Sequence, residues 1–237
     1  MALKRPRGLL FDYGGTLVEE DAYDARAGIE LLLSHATYRS PNATLDALVA
    51  RADLVTRDVA ARRDEFQIET PWASLTRLIH DYFGTRFDAP LPALELPFWN
   101  ASVRTRPMPG AREALLEFHR RGVPMGVVSN SSFGRHVIRH ELAKHGLADH
   151  LSTIVVSAEY AVRKPSPLLF EIAAASLGMD ARDIWFVGDR VDTDVAGAHV
   201  AGMTSVLYAQ PMDTDVGQAD VVVAGWRALL DAFLAVH

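Results

Sequence analysis

Four short polar clusters in the sequence carry carboxylates, a lysine and small hydroxyl groups. They are Asp12-Tyr-Gly-Gly-Thr16, Ser129-Asn130, Arg163-Lys164-Pro165 and Gly188-Asp189-Arg-Val-Asp192-Thr-Asp194. Carboxylates can hold a hard cation such as Mg²⁺ through oxygen ligands, and a lysine adds a positive charge beside an anion. This inventory is suited to phosphoryl transfer, in which a dianionic phosphate needs charge neutralisation.

An aspartate beside such a cation can attack phosphorus itself. The product is an aspartyl-phosphate, a covalent intermediate that divides one difficult step into two easier ones. In this interpretation Ser129 and nearby backbone N–H groups hold phosphate oxygens. In isolation Asp12 would be a turn residue and Ser129 a helix N-cap, but the four clusters together favour the functional interpretation.

Six apolar runs predict the strands that would bring these clusters together. Several are continuous rather than alternating, as expected for a parallel sheet covered on both faces. Helical patterns such as Ala111–Arg121 and Pro167–Leu177 separate the last five runs. The sequence therefore predicts an α/β fold with a doubly wound, mostly parallel, Rossmann-like core, in which ligands bind at the carboxyl ends of the strands. The six runs are Gly8–Phe11, Pro124–Val128, Thr153–Val156, Ile184–Val187, Thr204–Leu207 and Asp220–Val223.

A long insert separates the first two predicted strands. It contains three helical patterns, Ala25–His35, Leu45–Arg63 and Trp72–Phe83, several prolines and no convincing strand. A structureless loop of this length is implausible. We expect an inserted, all-helical cap domain at residues 19–105 and a core domain formed by residues 1–18 and 106–237. The cap is rich in arginine, and one or two of these side chains could select an anionic substrate.

Composition excludes several classes of function. The 237 residues include no cysteine, which removes disulfides, thiolate catalysis and cysteine zinc sites. The net charge is −6 and there is no basic patch with interleaved aromatics, so no nucleic-acid partner is expected. The apolar run behind the N-terminus is too short for a signal peptide or a membrane span, so we expect no membrane partner and a cytoplasmic location. The oligomeric state is left open.

In order, spacing and strand context, the four clusters resemble the four motifs of the haloacid-dehalogenase superfamily of hydrolases. The segment from Phe11 to Leu17 resembles the first motif, Val127-Val128-Ser129-Asn130 the second, Arg163-Lys164-Pro165 the third, and Gly188-Asp189 with Asp194 the fourth. The insert lies where this superfamily carries a helical, type-one cap. The resemblance covers the whole predicted core.

The resemblance implies a Mg²⁺-dependent phosphatase that acts on a phosphorylated small molecule. By it, Asp12 is both nucleophile and metal ligand, and Ser129 and Lys164 complete the catalytic set. The implied metal ligands are Asp12, the backbone carbonyl of Gly14, Asp189 and Asp194. The implied phosphate-binding residues are Gly15, Thr16, Ser129, Asn130 and Lys164.

Gly14 departs from the pattern of this superfamily. Most of its phosphatases carry there a second aspartate that acts as general acid and base, a function typically worth ~10²–10⁴ in rate. Three interpretations stay open. The substrate has a good leaving group, one of Glu19, Glu20 and Asp21 replaces the missing acid, or the protein is a weak catalyst that binds phosphorylated ligands or has a regulatory role.

A 2-haloacid dehalogenase is the main alternative reaction. Such enzymes use the same aspartate on carbon without a metal, and they do not need the acidic fourth motif. Here Asp189, Asp192 and Asp194 would leave an unneutralised negative cluster beside the nucleophile, which favours a metal site. A phosphonate hydrolase that uses a cap lysine is excluded, because the three lysines (Lys4, Lys144 and Lys164) all lie outside the predicted cap.

Overall fold

The computed structural model of the protein describes residues 3–209 and 216–236. The strands in these ranges are β1 (Gly8–Phe11), β2 (Val18–Tyr23), β3 (Ala36–Tyr38), β4 (Arg86–Phe87), β5 (Val103–Pro107), β6 (Met125–Ser129), β7 (Thr153–Val156), β8 (Ile184–Gly188), β9 (Thr204–Tyr208) and β10 (Val221–Val223). The α-helices are α1 (Ala25–Ser34), α2 (Leu45–Phe66), α3 (Trp72–His80), α4 (Leu91–Ser102), α5 (Ala111–Arg120), α6 (Arg135–Lys144), α7 (Pro167–Leu177), α8 (Ala196–Val200) and α9 (Trp226–Ala235).

Six strands form one parallel sheet in the order β10-β9-β8-β1-β6-β7. All six correspond to predicted apolar runs, which confirms the α/β, Rossmann-like core. From β1 the chain builds outward through β6 and β7, and it then returns to the other side of β1 to build β8, β9 and β10. This reversal of direction on either side of β1 opens a crevice at the carboxyl ends of the central strands.

Helices cover both faces of the sheet because successive strand residues point to opposite sides. Leu9 and Phe11 belong to an apolar cluster with residues of α5, α6 and α9, whereas Leu10 belongs to a second cluster with residues of α7 and α8. Phe11 packs on Trp226 of α9, with ring centroids 5.2 Å apart. Burial on both faces explains why these strands are continuous apolar runs.

The insert contains α1, α2, α3 and α4 and has an apolar cluster of its own. The first three helices were predicted, but α4 was not, because Pro90, Pro92 and Pro97 suggested a break. Pro92 lies in the first turn of α4, where a backbone N–H has no helical partner to lose. Pro97 lies inside the helix, whose Phe98 and Trp99 are buried.

The prediction that the insert lacks strands is wrong. Strands β2 and β5 pair antiparallel where the chain leaves and re-enters the core, and β3 pairs with β4 inside the insert. β3 and β4 are three and two residues long, too short to show a period-2 pattern. The predicted domain boundaries, after residue 18 and before residue 106, fall within the β2–β5 pair. No helix in the described parts of the chain is long and apolar enough to cross a membrane.

Candidate active site

A cavity of about 720 Å³ lies at the carboxyl ends of β1, β6 and β8. The first residues of β2 and the end of α2 also contribute to its wall. Nearly all of its lining side chains are polar or charged, so it is suited to a hydrophilic ligand. The lining residues are Asp12, Tyr13, Gly14, Gly15, Glu19, Glu20, Arg63, Gln67, Ser129, Asn130, Ser131, Arg163, Lys164, Pro165, Arg190, Asp192 and Thr193.

Lys164 joins two of the predicted carboxylates, Asp12, which lines this cavity, and Asp194, which is not part of its lining. Its Nζ lies 2.6 Å from Asp12 Oδ1 and 2.7 Å from Asp194 Oδ1, and all three side chains are buried. Burial alone would lower the pKa of Lys164, but the negative charges of Asp12 and Asp194 outweigh it and raise that pKa. Lys164 therefore stays a charged ammonium group.

Asp12 follows β1, and its backbone N–H donates to the carbonyl of Val187 in the neighbouring strand at 2.8 Å. This bond fixes the nucleophile candidate at the edge of the sheet. Burial raises the pKa of the Asp12 carboxyl, and the charge of Lys164 opposes that increase.

Asp12, Asp189 and Asp194 form a cluster of three carboxylates. One oxygen from each lies within 4.8 Å of the others. Burial raises the pKa of Asp194 to about 6, and burial and the charge of Asp194 raise the pKa of Asp189. Asp189 Oδ1 is buried without a hydrogen-bond partner in the described structure. Since Lys164 supplies one positive charge against three carboxylates, the cluster fits a divalent cation with oxygen ligands.

Two glycines allow these carboxylates to approach the sheet. A Cβ atom on Gly15 would lie 2.4 Å from Asp189 Oδ2, and a Cβ atom on Gly188 would lie 2.4 Å from the Asp194 carboxyl carbon. Gly15 also has a φ of +73°, which disfavours any other residue. Gly15 lines the cavity, as a phosphate-binding residue would, and in addition makes room for a predicted metal ligand.

Asp194 is held by an unusual turn that begins two residues after Asp189. Val191–Val195 forms a π-helical turn, and the N–H of Arg190 donates to Asp194 Oδ2 at 3.1 Å. The Arg190 side chain pairs instead with Asp192 at 2.6 Å, and both are exposed. Asp192 thus points away from the carboxylate cluster.

Ser129 is the last residue of β6 and Asn130 follows it, and both line the cavity. Asn130 has a contact that the sequence did not indicate. Its Oδ1 accepts from the Lys164 N–H at 2.8 Å, and its Nδ2 donates to the Lys164 carbonyl at 3.1 Å. The Asn130 amide therefore fixes the loop that presents the lysine, which is a positioning role beside the predicted phosphate contact.

The Thr16 side chain lies in the core and not in the cavity wall. It is fully buried, it is not part of the cavity lining, and its hydroxyl has no hydrogen-bond partner in the described structure. Its carbonyl accepts from Trp226 Nε1 at 3.1 Å. The turn after Gly15 thus directs the Thr16 side chain into the core, and its contact with phosphate stays a prediction.

Gly14 lines the cavity, and a Cβ atom there would meet nothing within 4 Å. The three candidate replacements for the missing acid lie on β2. Glu19 and Asp21 pair with Arg106 of β5, at 2.7 and 2.8 Å. Glu20 lies between them in the strand and lines the cavity.

No sequence pattern indicates the contact that the insert makes with the core. Glu69, on the segment between α2 and α3, is buried and forms an ion pair with Arg163. Its carboxylate also accepts from Ser157 Oγ at 2.7 Å and from Ser132 Oγ at 3.1 Å. The sequence of this segment is typical of a linker. Only the fold shows that the Glu69 carboxylate lies beside the loop of Lys164.

Residues 6–202 match the haloacid dehalogenase-like hydrolase family. The chain belongs to this family. Its central sheet and its insert after β1 are consistent with this membership.

Curated relatives are named as phosphatases. The chain is 29% identical to a glyceraldehyde 3-phosphate phosphatase from Pyrococcus abyssi over 59% of its length and 65% of the relative's. It is 26% identical to a phosphoglycolate phosphatase from Yersinia pseudotuberculosis over 97% of its length and 94% of the relative's. The first four curated relatives are matched over only 42–65% of their own lengths.

Solved structures agree with the fold. A 2-haloacid dehalogenase from Pseudomonas syringae superposes with a TM-score of 0.65 and 20% identity, over 96% of this chain and 97% of that one. At this identity the similarity concerns the fold alone. The reaction has to be inferred from the side chains of the cavity.

Proposed function

We propose that the protein is a Mg²⁺-dependent phosphatase that hydrolyses a phosphorylated small molecule through an aspartyl-phosphate on Asp12. The observation that carries this proposal is the cluster of three carboxylates, with one oxygen of each within 4.8 Å, around the buried Lys164. The names of the curated relatives support the same reaction class.

The cation site would be formed by Asp12, the carbonyl of Gly14, Asp189 and Asp194. Mg²⁺ bound there would neutralise charge on the phosphoryl group and orient it. Without such a cation, a phosphate dianion would meet more negative than positive charge at the floor of the cavity. The uncompensated carboxylates are the reason to prefer a metal-dependent reaction over a dehalogenase, which attacks carbon.

The chain's own residues account for the steps of the reaction. An oxygen of Asp12 forms a bond to phosphorus while the bond from phosphorus to the ester oxygen breaks, and the ester oxygen takes up a proton and leaves as an alcohol. A water oxygen then attacks phosphorus and the bond to Asp12 breaks, which releases phosphate and restores the carboxylate, and the water gives up the proton that replaces the one taken by the alcohol. Lys164 and the Ser129 hydroxyl donate to phosphoryl oxygens, and Asn130 keeps Lys164 in place.

The cavity supports a small hydrophilic substrate. Its side chains offer hydrogen bonds and charge, and Arg63 and Gln67 of the insert are part of its wall. Carboxylate or hydroxyl groups on a short carbon chain would be recognised by such a wall, whereas an extended apolar group would leave its polar groups unpaired. We infer a phosphate monoester of a short, oxygen-rich carbon skeleton.

The test is the pre-steady-state hydrolysis of p-nitrophenyl phosphate, with Mg²⁺ and with EDTA. We expect Mg²⁺-dependent turnover that vanadate inhibits and that Asp12→Asn lowers by at least ~10³-fold, as for other catalytic nucleophiles. Asp192→Asn is the matched control, because Asp192 lines the same cavity but lies outside the carboxylate cluster. Equal rates for wild type and Asp12→Asn would rule out Asp12 as nucleophile. Phosphate binding without turnover would identify a binding protein.

A further inference from the structure

Strand β2 brings three acidic residues close to the nucleophile. The N–H of Gly15 donates to the Val18 carbonyl at 2.9 Å, and Gly14 forms a bridge with Val18. The turn therefore folds back on the loop of Asp12, and β2 starts beside the cavity. Any carboxyl group on the first residues of β2 that faces the cavity lies within the active site.

Only one of the three faces the cavity without a fixed partner. Glu19 and Asp21 both bind the guanidinium of Arg106, and Glu19 also lines the cavity. Glu20 lines the cavity as well and has no ion pair among residues 3–209 and 216–236.

The surroundings of Glu20 favour its protonated form. Its side chain is exposed, yet the neighbouring protein removes part of its hydration, and this desolvation raises the pKa of its carboxyl. The charges of Asp12 on β1 and Glu141 on α6 raise that pKa further. Tyr13 also faces Glu20, and the cations of the cavity wall are Arg63, Arg163, Lys164 and Arg190. A carboxyl group that holds its proton closer to neutral pH is a better general acid.

We propose that Glu20 is the catalytic acid and base that the chain uses in place of an aspartate at Gly14. This proposal rests on the proposed phosphatase function. As the bond from phosphorus to the ester oxygen breaks, Glu20 gives its proton to that oxygen, and the product leaves as an alcohol. The Glu20 carboxylate then takes a proton from the water that attacks the aspartyl-phosphate, while the bond from phosphorus to Asp12 breaks. Ester and water become alcohol and phosphate, and Glu20 ends protonated as it began.

The experiment compares Glu20→Gln with wild type on two kinds of substrate that differ in leaving group. 3-Phosphoglycerate and 2-phosphoglycolate have alkoxide leaving groups that need a proton, whereas p-nitrophenyl phosphate does not. We expect kcat to fall ~10²–10⁴-fold on the better of the two alkyl phosphates and much less on p-nitrophenyl phosphate. The fall of kcat at high pH, which follows deprotonation of Glu20, should disappear in the variant. Asp21→Asn, on the same strand but turned toward Arg106, is the matched control and should retain wild-type kinetics.

A second variant separates catalysis from a local structural effect. Gly14 has open space for a side chain, so Gly14→Asp in the Glu20→Gln background should restore activity on the alkyl phosphate at least ~10-fold. Glu20→Gln kinetics equal to wild type on both substrates, with Asp12→Asn inactive, would overturn this inference and leave the phosphatase function intact. Equal losses on both substrates, or in Asp21→Asn as well, would also overturn it. A wild-type protein that hydrolyses no phosphate ester would overturn both proposals.

Discussion

Single atoms decide how closely the carboxylates of the cavity approach one another. Asp12 and Asp194 share one buried ammonium group, and Asp189 fits against the backbone of Gly15 because no Cβ is there. The glycine at position 15 is therefore as much part of the proposed cation site as the aspartates are. Gly15 contributes by leaving room for the Asp189 carboxylate.

Gly15→Ala should weaken Mg²⁺ activation. The new Cβ would lie 2.4 Å from Asp189 Oδ2, so this carboxylate has to move away from Asp12 and Asp194. We expect the Mg²⁺ concentration for half-maximal activity to rise at least ~10-fold, as when a group that orients a metal ligand is lost. The measurement is a Mg²⁺ titration of p-nitrophenyl phosphate hydrolysis.

Gly202→Ala is the control for backbone strain alone. Gly202 also has a positive φ, of +77°, but a Cβ there would meet nothing within 4 Å. Both variants should lose about 1 kcal/mol of unfolding free energy from the left-handed backbone, and only Gly15→Ala should change the Mg²⁺ requirement. A Mg²⁺ requirement that shifts equally in both, or in neither, contradicts the steric argument.

At the scale of elements, the sequence predicted the parts of the fold that have strong local patterns. The six buried runs of the parallel sheet are continuous and apolar, so each strand was found, and the residues that follow them converge as expected. The roles assigned to those residues stay predictions. β3 and β4 were not predicted, because elements of two or three residues show no period. α4 was not predicted either, because its prolines fall where the helix tolerates them.

Contacts that depend on tertiary packing could not be predicted. The burial of Thr16 is set by the turn after Gly15, and the pairing of Asn130 with Lys164 joins loops 34 residues apart. The insertion of the Glu69 carboxylate beside Arg163 joins residues 94 positions apart. None of these pairs has a local sequence signal, because polar residues in loops look alike whether they face solvent or a buried partner.

The insert also contains a buried histidine that should make the protein sensitive to acid. His80 of α3 is almost fully buried, its ring nitrogens have no hydrogen-bond partner in the described structure, and burial lowers its pKa to about 4. An unfolded histidine titrates near 6.5, so only the unfolded chain takes up this proton between those values. Stability should fall by about 3 kcal/mol as the pH drops from above 6.5 to 4 and not further below it.

His80→Leu should remove this part of the acid dependence. The measurement is the urea midpoint of the wild type and the variant between pH 7.5 and 4. His140→Gln is the control, because His140 is exposed on α6 and its replacement should leave the wild-type acid dependence unchanged. A wild-type midpoint that does not fall with pH, or one that falls equally in His80→Leu, would be inconsistent with a neutral buried imidazole.

At the scale of the whole molecule, the insert and the core should respond to pH in opposite directions. Burial raises the pKa of Asp194 to about 6, above its ordinary value of 3.8, so the folded core binds this proton more tightly than the unfolded chain does. The stability that comes from the protonated form is complete below 3.8 and is lost as the pH rises through 6. At neutral pH the metal-free core therefore bears the cost of a buried, ionised carboxylate.

Binding of a divalent cation should remove this destabilisation, and the dependence of Mg²⁺ binding on pH can be measured. Mg²⁺ binds the folded protein through deprotonated carboxylates, so 10 mM Mg²⁺ should raise Tm at pH 7.5 by several degrees and at pH 5 by much less. A concentration 100-fold above Kd contributes about 2.7 kcal/mol. Asp189→Asn should abolish the increase, whereas Asp183→Asn, an aspartate outside the cavity paired with Arg7, should retain it. Mg²⁺ binding depends on pH in this range only if the carboxylate cluster must first lose its protons. An increase in Tm of the same size at both pH values, or one retained in Asp189→Asn, would therefore mean that the ion binds elsewhere.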